Sequence, residues 1–309
     1  MTASEPAEAL LLEAHGFRAW IIPAVGSIVA SLDWHAPSGT VHPLLFSPQG
    51  SVPTTDAPNF LGAWAMVPFA NRAFDCLIDD GTHCFGVPVN DPAGNGNIHG
   101  FGWQSPWTVT EHSPVRLVTA HRRSGADDPY SYDAIQAMTV LADHVRLDLS
   151  VTNRADRALP FGLGFHPWFA CAPDTSLMMS SQGALALGLG YRATGRTDFA
   201  DGGPFSAGRI VRDLTGELAL SYVDWIGDAV FSTPSQGLSI SIGASGNFRH
   251  PVLWSPPGAD FVCFEPQSHG IGAQSDSVAR AITPLARLQP GETLSGWMTI
   301  TPHEVPHVR

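Results

Sequence analysis

The 309-residue chain contains 44% hydrophobic and only 14% charged residues, which excludes a disordered polyelectrolyte and allows a large buried core. Its net charge of −12, with scattered cations, argues against nucleic acid and anionic membranes as partners. All 16 cations are Arg, and the lack of Lys excludes Schiff-base, pyridoxal-phosphate and P-loop lysine chemistry.

Short strands and turns dominate the expected secondary structure. The chain has 31 Gly and 26 Pro without any repeat, a composition that favours strands joined by turns over long helices. Two short helices are expected, one from Pro6 to Glu13 and one turn from Val278 to Ala281. An all-β architecture is therefore predicted.

The N-terminus and the cysteines bear on cellular location. Glu5, Glu8 and Glu13 precede the first Arg, which is the wrong charge for a secretory leader, and no apolar run reaches membrane-spanning length. The four cysteines form no Cys-x-x-Cys pair, so neither a zinc knuckle nor a disulfide framework is predicted. They are Cys76, Cys84, Cys171 and Cys263. We therefore expect a cytoplasmic protein.

Alternation of apolar and polar residues predicts half-buried strands at 145–152, 238–242 and 293–301. Turn residues precede the last two, at 234–237 and 290–291. These signals predict a large antiparallel β-sandwich of two sheets. A split into two domains stays open, because all-β domains usually run to about 200–250 residues.

Two segments in the first half of the chain place polar residues inside apolar stretches, where an ionisable group is costly unless it is partnered or used. Asn71-Arg72 interrupts residues 67–74, although a solvated Arg at a strand end would also explain the pattern. His99 lies among glycines in residues 96–103, where backbone or a ligand can come close, although a turn residue would look the same.

Two further segments lie in the second half. His166 is the one residue of the apolar stretch 159–169 that titrates near neutrality, although a buried His bonded to backbone would also fit. Glu265 ends the apolar strand within residues 261–267. Desolvation is expected to raise its pKa toward neutrality, as a general base requires, although a solvated strand-end Glu is common.

These motifs follow one another in a fixed order along the chain. They are Asn71-Arg72, Asn97-Ile98-His99-Gly100, Gly164-Phe165-His166-Pro167-Trp168-Phe169, Phe264-Glu265-Pro266-Gln267 and Leu288-Gln289-Pro290-Gly291-Glu292. Their order and spacing resemble the aldose 1-epimerase (galactose mutarotase) family, and the resemblance extends over residues 10–302.

The resemblance implies a single β-supersandwich domain, here residues 1–309, that interconverts the α and β anomers of a free aldohexose without cofactor or metal. It implies Glu265 as general base and His166 as general acid. His99, the third catalytic candidate, would hold the sugar and its ring oxygen together with Arg72. The other substrate-binding candidates in these motifs are Asn71, Trp168 and Gln267.

The chemistry agrees with this set of residues. Opening a pyranose requires a proton to leave the anomeric hydroxyl and another to reach the ring oxygen, so one acid and one base suffice. A carboxylate with a raised pKa and an imidazole that titrates near 6.5 would suit neutral pH.

The family's substrate-binding Asp, on the strand before a Trp-Gly segment, has no secure counterpart in residues 217–227. Asp224 is the first candidate for this residue and Glu217 is the second. The sequence therefore leaves open which hydroxyl groups of the sugar the protein recognises.

Three alternatives remain. A hexose-6-phosphate mutarotase would need a cation cluster, for which Arg72, Arg122 and Arg123 are candidates, although the net charge argues mildly against it. A non-catalytic sugar-binding or regulatory module could keep the same fold. A cupin-like metal enzyme is disfavoured, because no His-x-His pair exists. The oligomeric state, monomer or homodimer, is open.

Overall fold

The computed structural model describes residues 8–47, 61–91, 96–125, 127–213 and 218–306. Within these ranges the chain forms twenty-five β-strands, one short α-helix and five 3-10 turns. All strand pairings in the sheets are antiparallel, which confirms the all-β antiparallel prediction.

The strands are numbered in chain order. The first thirteen are β1 (Leu10–Ala14), β2 (Phe17–Ile22), β3 (Ile28–His35), β4 (Val41–Pro43), β5 (Ala65–Met66), β6 (Arg72–Ala73), β7 (Leu77–Asp79), β8 (Cys84–Gly86), β9 (Asn97–Ile98), β10 (Thr108–Ser113), β11 (Arg116–Ser124), β12 (Ser131–Val140) and β13 (Val145–Asn153). The other twelve are β14 (Leu159–Phe161), β15 (Gly164–Phe165), β16 (Trp168–Ala170), β17 (Ser176–Leu187), β18 (Ala193–Asp198), β19 (Arg209–Ile210), β20 (Leu218–Thr233), β21 (Leu238–Ala244), β22 (Val252–Ser255), β23 (Phe261–Glu265), β24 (Ala286–Leu288) and β25 (Thr293–Glu304).

Thirteen of these strands form one large sheet. Its main path runs β10-β11-β12-β13-β25-β21-β20-β22-β23-β16, and β17, β18 and β19 join it beside β20. The long strand β20 pairs with β22 through residues 218–221 and with β21 through residues 228–233. It therefore connects the half of the sheet that carries β23 to the half that carries β13.

A second sheet of four strands, β1-β2-β3-β4, packs in the same core as the large sheet. Leu12 and Phe17 of the small sheet and Leu147 and Phe231 of the large one belong to one buried cluster. Full burial of such a side chain contributes about 1.5–3 kcal/mol relative to exposure, so the two faces stabilise each other. The large antiparallel β-sandwich predicted from the sequence is the observed architecture.

The observed strands show the predicted alternation of buried and exposed residues. β13 buries every second residue from Val145 to Asn153, and β21 does the same from Leu238 to Ile242. The turn before β21 ends at Gly237, whose φ of 61° lies in the left-handed region that favours glycine. β25 covers the third predicted strand.

One of the two predicted helices is present. The helix α1 (Ser277–Ile282) begins after Asp276, whose carboxylate accepts hydrogen bonds from the amides of Val278 and Ala279. The helix expected from Pro6 to Glu13 is wrong for its second half, because residues 10–13 form β1 and pair with β2. The first residues of that segment lie outside the described ranges.

The four cysteines are all free thiols. In the described part of the chain, no helix combines the length and the apolar character that a membrane crossing requires.

Candidate active site

His166 and Glu265 come together because β16 and β23 are antiparallel neighbours. Trp168 pairs with Cys263, so His166, two residues before Trp168, lies opposite Glu265, the last residue of β23. The Nε2 atom of His166 lies 3.3 Å from Oε1 of Glu265. The predicted acid and base are therefore in direct contact.

Both side chains of this pair are buried, His166 with 7% and Glu265 with 2% of its surface exposed. Desolvation disfavours the charged form of each group. It raises the pKa of Glu265 to about 8, against a smaller opposing effect of Arg72, and lowers the pKa of His166 to about 3. The raised carboxyl pKa is as predicted, whereas the expectation that His166 titrates near 6.5 is wrong because burial opposes the imidazolium. Burial therefore favours the uncharged form of the pair, in which the proton that the two groups can exchange is on the carboxyl group.

His99 is fixed by the backbone of Asn71. The amide of Asn71 donates to Nδ1 of His99 at 3.0 Å, and the amide of His99 donates to the Asn71 carbonyl at 2.9 Å. Because Nδ1 accepts, a neutral His99 carries its hydrogen on Nε2 and is a donor there. Desolvation first, and then the nearby His166 and Arg72, hold the pKa of His99 well below its ordinary value.

The backbone around His99 is unusual. His99 and Asn71 both have positive φ, 60° and 56°. A Cβ at Gly100 would collide with the carbonyl oxygen of Val67, so this position requires glycine. The glycines noted in the sequence therefore allow a close approach of two chain segments, and the hydrogen bonds of Asn71 support His99.

Aromatic rings form the wall of the site. Trp64 stacks on His166 with ring centroids 4.3 Å apart, and Trp168 stacks on the same imidazole at 5.8 Å. Trp103 in turn stacks on Trp64 at 5.2 Å. The substrate-binding candidate Trp168 is thus buried beside His166, and these rings restrict the orientation of the imidazole.

Several buried polar atoms at this site have no hydrogen-bond partner among the described residues. They are Nε1 of Trp64, Nδ1 of His166, Oε2 of Glu265 and both side-chain amide atoms of Gln267. A buried polar atom that is left unpaired costs about 1–3 kcal/mol, so these atoms are candidate contacts for a polar ligand. We name Trp64, His99, His166, Glu265 and Gln267 the acid–base pocket.

His269 supports the pocket from behind. Its Nε2 atom accepts the Ala70 amide at 3.1 Å, and its Nδ1 atom lies 3.0 Å from the Gly270 carbonyl. A Cβ at Gly162 would collide with the His269 ring, so the β14–β15 connection passes directly over it. His269 thereby holds the segment that leads into Asn71.

Arg72 lies at the border of the pocket and lines a neighbouring concavity. Its guanidinium is 36% exposed and forms an ion pair with Asp91 at 3.3 Å. Its positive charge also acts on both Glu265 and His99. The neighbouring concavity, which we name the side cleft, is lined by Arg72, Ala73, Phe74, Asp75, Asp91, Gly96, Asn97, Gly190, Tyr191 and Arg192.

Asp224, the first candidate for the missing acid, lies on β20 between two arginines. Its carboxylate forms ion pairs with Arg196 at 3.1 Å and Arg249 at 3.2 Å. Both carboxylate oxygens are thus already engaged, and the proposed contact with sugar stays a prediction. The second candidate, Glu217, lies outside the described residues.

Arg122 and Arg123, the other two candidates for a phosphate site, are both engaged by carboxylates. Arg122 is 80% exposed and pairs with Asp133, and Arg123 pairs with Asp128. Among the described residues, no three His, Cys, Asp or Glu side chains are grouped as a metal site would require.

Comparison with known proteins identifies the family. The sequence model of the family described as Aldose 1-epimerase matches residues 8–301. The chain belongs to the aldose 1-epimerase family. It is 28% identical over 273 residues to YphB of Escherichia coli strain K12, an uncharacterized protein, and the match covers 84% of this chain and 88% of YphB.

Solved structures show that the fold is that of other aldose 1-epimerase-like proteins. A galactose mutarotase-like protein from Clostridium acetobutylicum is similar with a TM-score of 0.83 and 19% identity, covering 96% of this chain and 95% of that chain. Galactose 1-epimerase from Lactobacillus acidophilus NCFM is similar with a TM-score of 0.76 and 17% identity, covering 96% and 94%. The supersandwich expected from the resemblance is confirmed.

Sequence reasoning missed three residues of this region. Trp64 and His269 stand in segments without a motif, and Tyr191 lies in the β17–β18 connection. The sequence signals were weak, a Trp in an apolar run and a His between Ser268 and Gly270. Contacts over 199 residues, such as that between Ala70 and His269, leave no local pattern.

Proposed function

We propose that the protein is an aldose 1-epimerase that accelerates exchange between the α and β anomers of a free aldose. The contact of 3.3 Å between the buried His166 and Glu265 carries the proposal. Anomer exchange moves one proton from the anomeric hydroxyl and one to the ring oxygen, and a pair that shares one proton can do both.

Ring opening starts with the sugar bound to the charged form of the pair. The carboxylate of Glu265 takes the proton of the anomeric hydroxyl, and the imidazolium of His166 gives its proton to the ring oxygen. The C1–O5 bond breaks, C1 becomes an aldehyde carbon, and O5 becomes a hydroxyl group. The pair ends as a carboxylic acid and a neutral imidazole.

Ring closure reverses these transfers after rotation about C1–C2. The imidazole takes the proton of the O5 hydroxyl as O5 attacks C1 from the other face, and Glu265 returns a proton to O1. The uncharged form that burial favours in the free protein is the form paired with the open-chain aldehyde. The pair therefore carries one proton throughout the cycle, and no net proton is consumed.

Three neighbours suit the sugar's other groups. His99 offers a neutral Nε2–H donor toward the ring oxygen, and Arg72 adds a cationic donor at the border of the pocket. The Gln267 amide supplies a donor and an acceptor for hydroxyl groups. Asn71 acts through His99, and Trp168 acts through the imidazole of His166.

Exchange NMR on a panel of free and 6-phosphorylated aldoses tests the proposal. We expect faster anomer exchange for at least one free aldose than in buffer alone. A protein that binds sugar without changing the spontaneous exchange rate would contradict it. Selective acceleration of a 6-phosphorylated aldose would replace the free-aldose assignment by a hexose-6-phosphate mutarotase. A cytoplasmic location, a single domain and the monomeric or dimeric state stay predictions.

A further inference from the structure

The backbone conformation of His99 has to be maintained by its neighbours. Its φ of 60° lies in the left-handed region, which few residues other than glycine adopt. Such a conformation persists where surrounding contacts fix it. The hydrogen bonds with Asn71 hold the amide and the Nδ1 atom of His99. The backbone groups of the residues on either side of His99 have other partners.

The side chain of Asn90, in the segment between β8 and β9, supplies these partners. Its Oδ1 atom accepts the Ile98 amide at 2.7 Å. Its Nδ2 group donates to the Ile98 carbonyl at 3.0 Å and to the Gly100 carbonyl at 2.6 Å. One carboxamide therefore binds the residue before His99 and the residue after it.

The three contacts select asparagine. A primary amide has two N–H donors and one carbonyl acceptor, and each of them meets a backbone group of the opposite kind. An aspartate would place a second oxygen against two carbonyl oxygens. A glutamine would be one methylene group too long to reach the same three atoms.

Asn90 is itself anchored through its own backbone. Its amide donates to the Gly96 carbonyl at 3.2 Å, and its carbonyl accepts a hydrogen bond from Nε2 of Gln104 at 3.4 Å. The three partners of its side chain are backbone atoms, so Asn90 acts on the imidazole of His99 through the loop that carries it.

The position of His99 bears on the reaction proposed above. Because Nδ1 accepts the Asn71 amide, a neutral His99 donates from Nε2. The ring oxygen of a closed pyranose is a weak acceptor, and it gains electron density as the C1–O5 bond breaks. A donor aimed at this atom therefore stabilises the transition state more than the bound sugar. A shift of His99 by about 1 Å would forfeit most of that effect.

We propose that Asn90 is a positioning residue for anomer exchange, which holds residues 98–100 so that His99 keeps its hydrogen on Nε2 and directs it toward the ring oxygen. This inference rests on the proposed function. In this role Asn90 contacts no reacting atom, and no bond to it forms or breaks during exchange.

The test compares Asn90→Ala and Asn90→Asp with the matched control Asn247→Asp. Asn247 is exposed in the connection after β21, and its carboxamide also donates to a backbone carbonyl, that of Ser295. Exchange NMR gives kcat and KM for the free aldose that the wild-type protein converts fastest. We expect both Asn90 variants to lower kcat about 10- to 100-fold, with KM within about threefold. Asn247→Asp should change both parameters less than about twofold.

The tautomer of His99 is measured independently of turnover. Long-range proton–nitrogen NMR spectra distinguish the two imidazole nitrogens, and His99→Gln identifies the His99 signals. We expect the Nε2–H tautomer in the wild-type protein and in Asn247→Asp, and a mixture of both tautomers in the Asn90 variants. If the wild-type protein exchanges no sugar, this change of tautomer supports the positioning role while the proposed function fails.

Circular dichroism and thermal unfolding show which variants fold. Unchanged kcat in folded Asn90 variants of an active protein would overturn the inference, and so would a His99 tautomer that both variants leave unchanged. If neither variant folds, hydrogen exchange in the wild-type protein decides. We expect the Ile98 amide to exchange slowly, because its acceptor is Oδ1 of Asn90, and rapid exchange would overturn the inference.

Discussion

The acid–base pocket and the side cleft adjoin at Arg72, but the ionisable groups of the first are buried and those of the second are partly exposed to water. In the pocket, Glu265 and His166 are buried and burial favours their uncharged forms. In the cleft, Arg192 and Asp75 form an ion pair with 48% and 68% of their side chains exposed. Exposure to water thus distinguishes the buried acid–base pair from the ion pairs of the cleft.

This difference has an energetic basis. A buried charge is costly unless it is compensated, so a proton moves easily within the pocket when substrate changes the balance. An exposed ion pair contributes only about 0–1 kcal/mol, so a ligand can exchange with it at little cost. Changes in the pocket should therefore affect turnover, and changes in the cleft should affect binding.

The largest effect is expected from removing either proton carrier. Glu265→Gln and His166→Asn should each lower kcat about 10²- to 10⁴-fold, because general acid or base catalysis supplies that much. KM should change less, since Gln and Asn keep hydrogen-bonding capacity. Exchange NMR measures both directions, which should slow equally. Glu304→Gln and His303→Asn, exposed on β25, are the matched controls. Near-normal exchange in a folded pocket variant would show a wrong assignment, with His99 the first replacement for His166.

The pH dependence of kcat/KM should show whether the buried pair controls the activity. The raised pKa of Glu265 means that the pair keeps its proton below about pH 8 and loses it above. We expect kcat/KM to be level through neutral pH and to fall about tenfold per unit beyond that value. Subtracting the spontaneous exchange rate in buffer at each pH gives the rate that the protein contributes. An alkaline fall centred at 6.5, the ordinary value for His, would contradict burial as the controlling cause.

A smaller effect is expected at the border between the two regions. Arg72→Ala should lower kcat/KM about tenfold, because a charge-assisted hydrogen bond contributes about 1.5–3 kcal/mol and partial exposure reduces this. Arg122→Ala, an exposed and ion-paired arginine of β11, is the control and should change little. Unchanged efficiency in a folded Arg72 variant would remove this residue from the site.

Behind the pocket, a change is expected to affect stability rather than turnover. His269→Ala leaves the Ala70 amide and the Gly270 carbonyl without their partner and should lower the free energy of unfolding by about 1–3 kcal/mol. Urea denaturation measures this, with exposed His303→Ala as the comparison. Unchanged stability would show that His269 is not a support of the loop before Asn71.

Sequence patterns predicted the fold where each strand has one buried face. Val145 to Asn153 alternates without a break, so its strand and its orientation follow from the residues alone. The helix predicted over residues 10–13 was wrong because three consecutive leucines suit a helix as well as a strand. Pairing with β2 makes this segment a strand. Local preference is a weak guide wherever distant pairing supplies the hydrogen bonds.

The site was predictable where one polar residue interrupts an apolar run, as at His166 and Glu265. The sequence predicted the raised pKa of Glu265 but not the lowered pKa of His166. The strand-end Glu was expected to be desolvated, but burial of His166 between Trp64 and Trp168 depends on segments about a hundred residues apart. The side cleft was missed for the same reason, since Tyr191 reaches Arg72 through the β17–β18 connection.

The stacked rings of Trp64 and His166 give the protein an internal optical probe. An imidazolium ring against an indole quenches its fluorescence by accepting an electron, whereas a neutral imidazole does so weakly. With ring centroids 4.3 Å apart, emission from Trp64 should therefore report which member of the pair holds the proton. Comparison with Trp64→Phe isolates this signal from the other eight tryptophans. Sugar binding that moves the proton onto His166 would lower the Trp64 fluorescence before any anomer has exchanged.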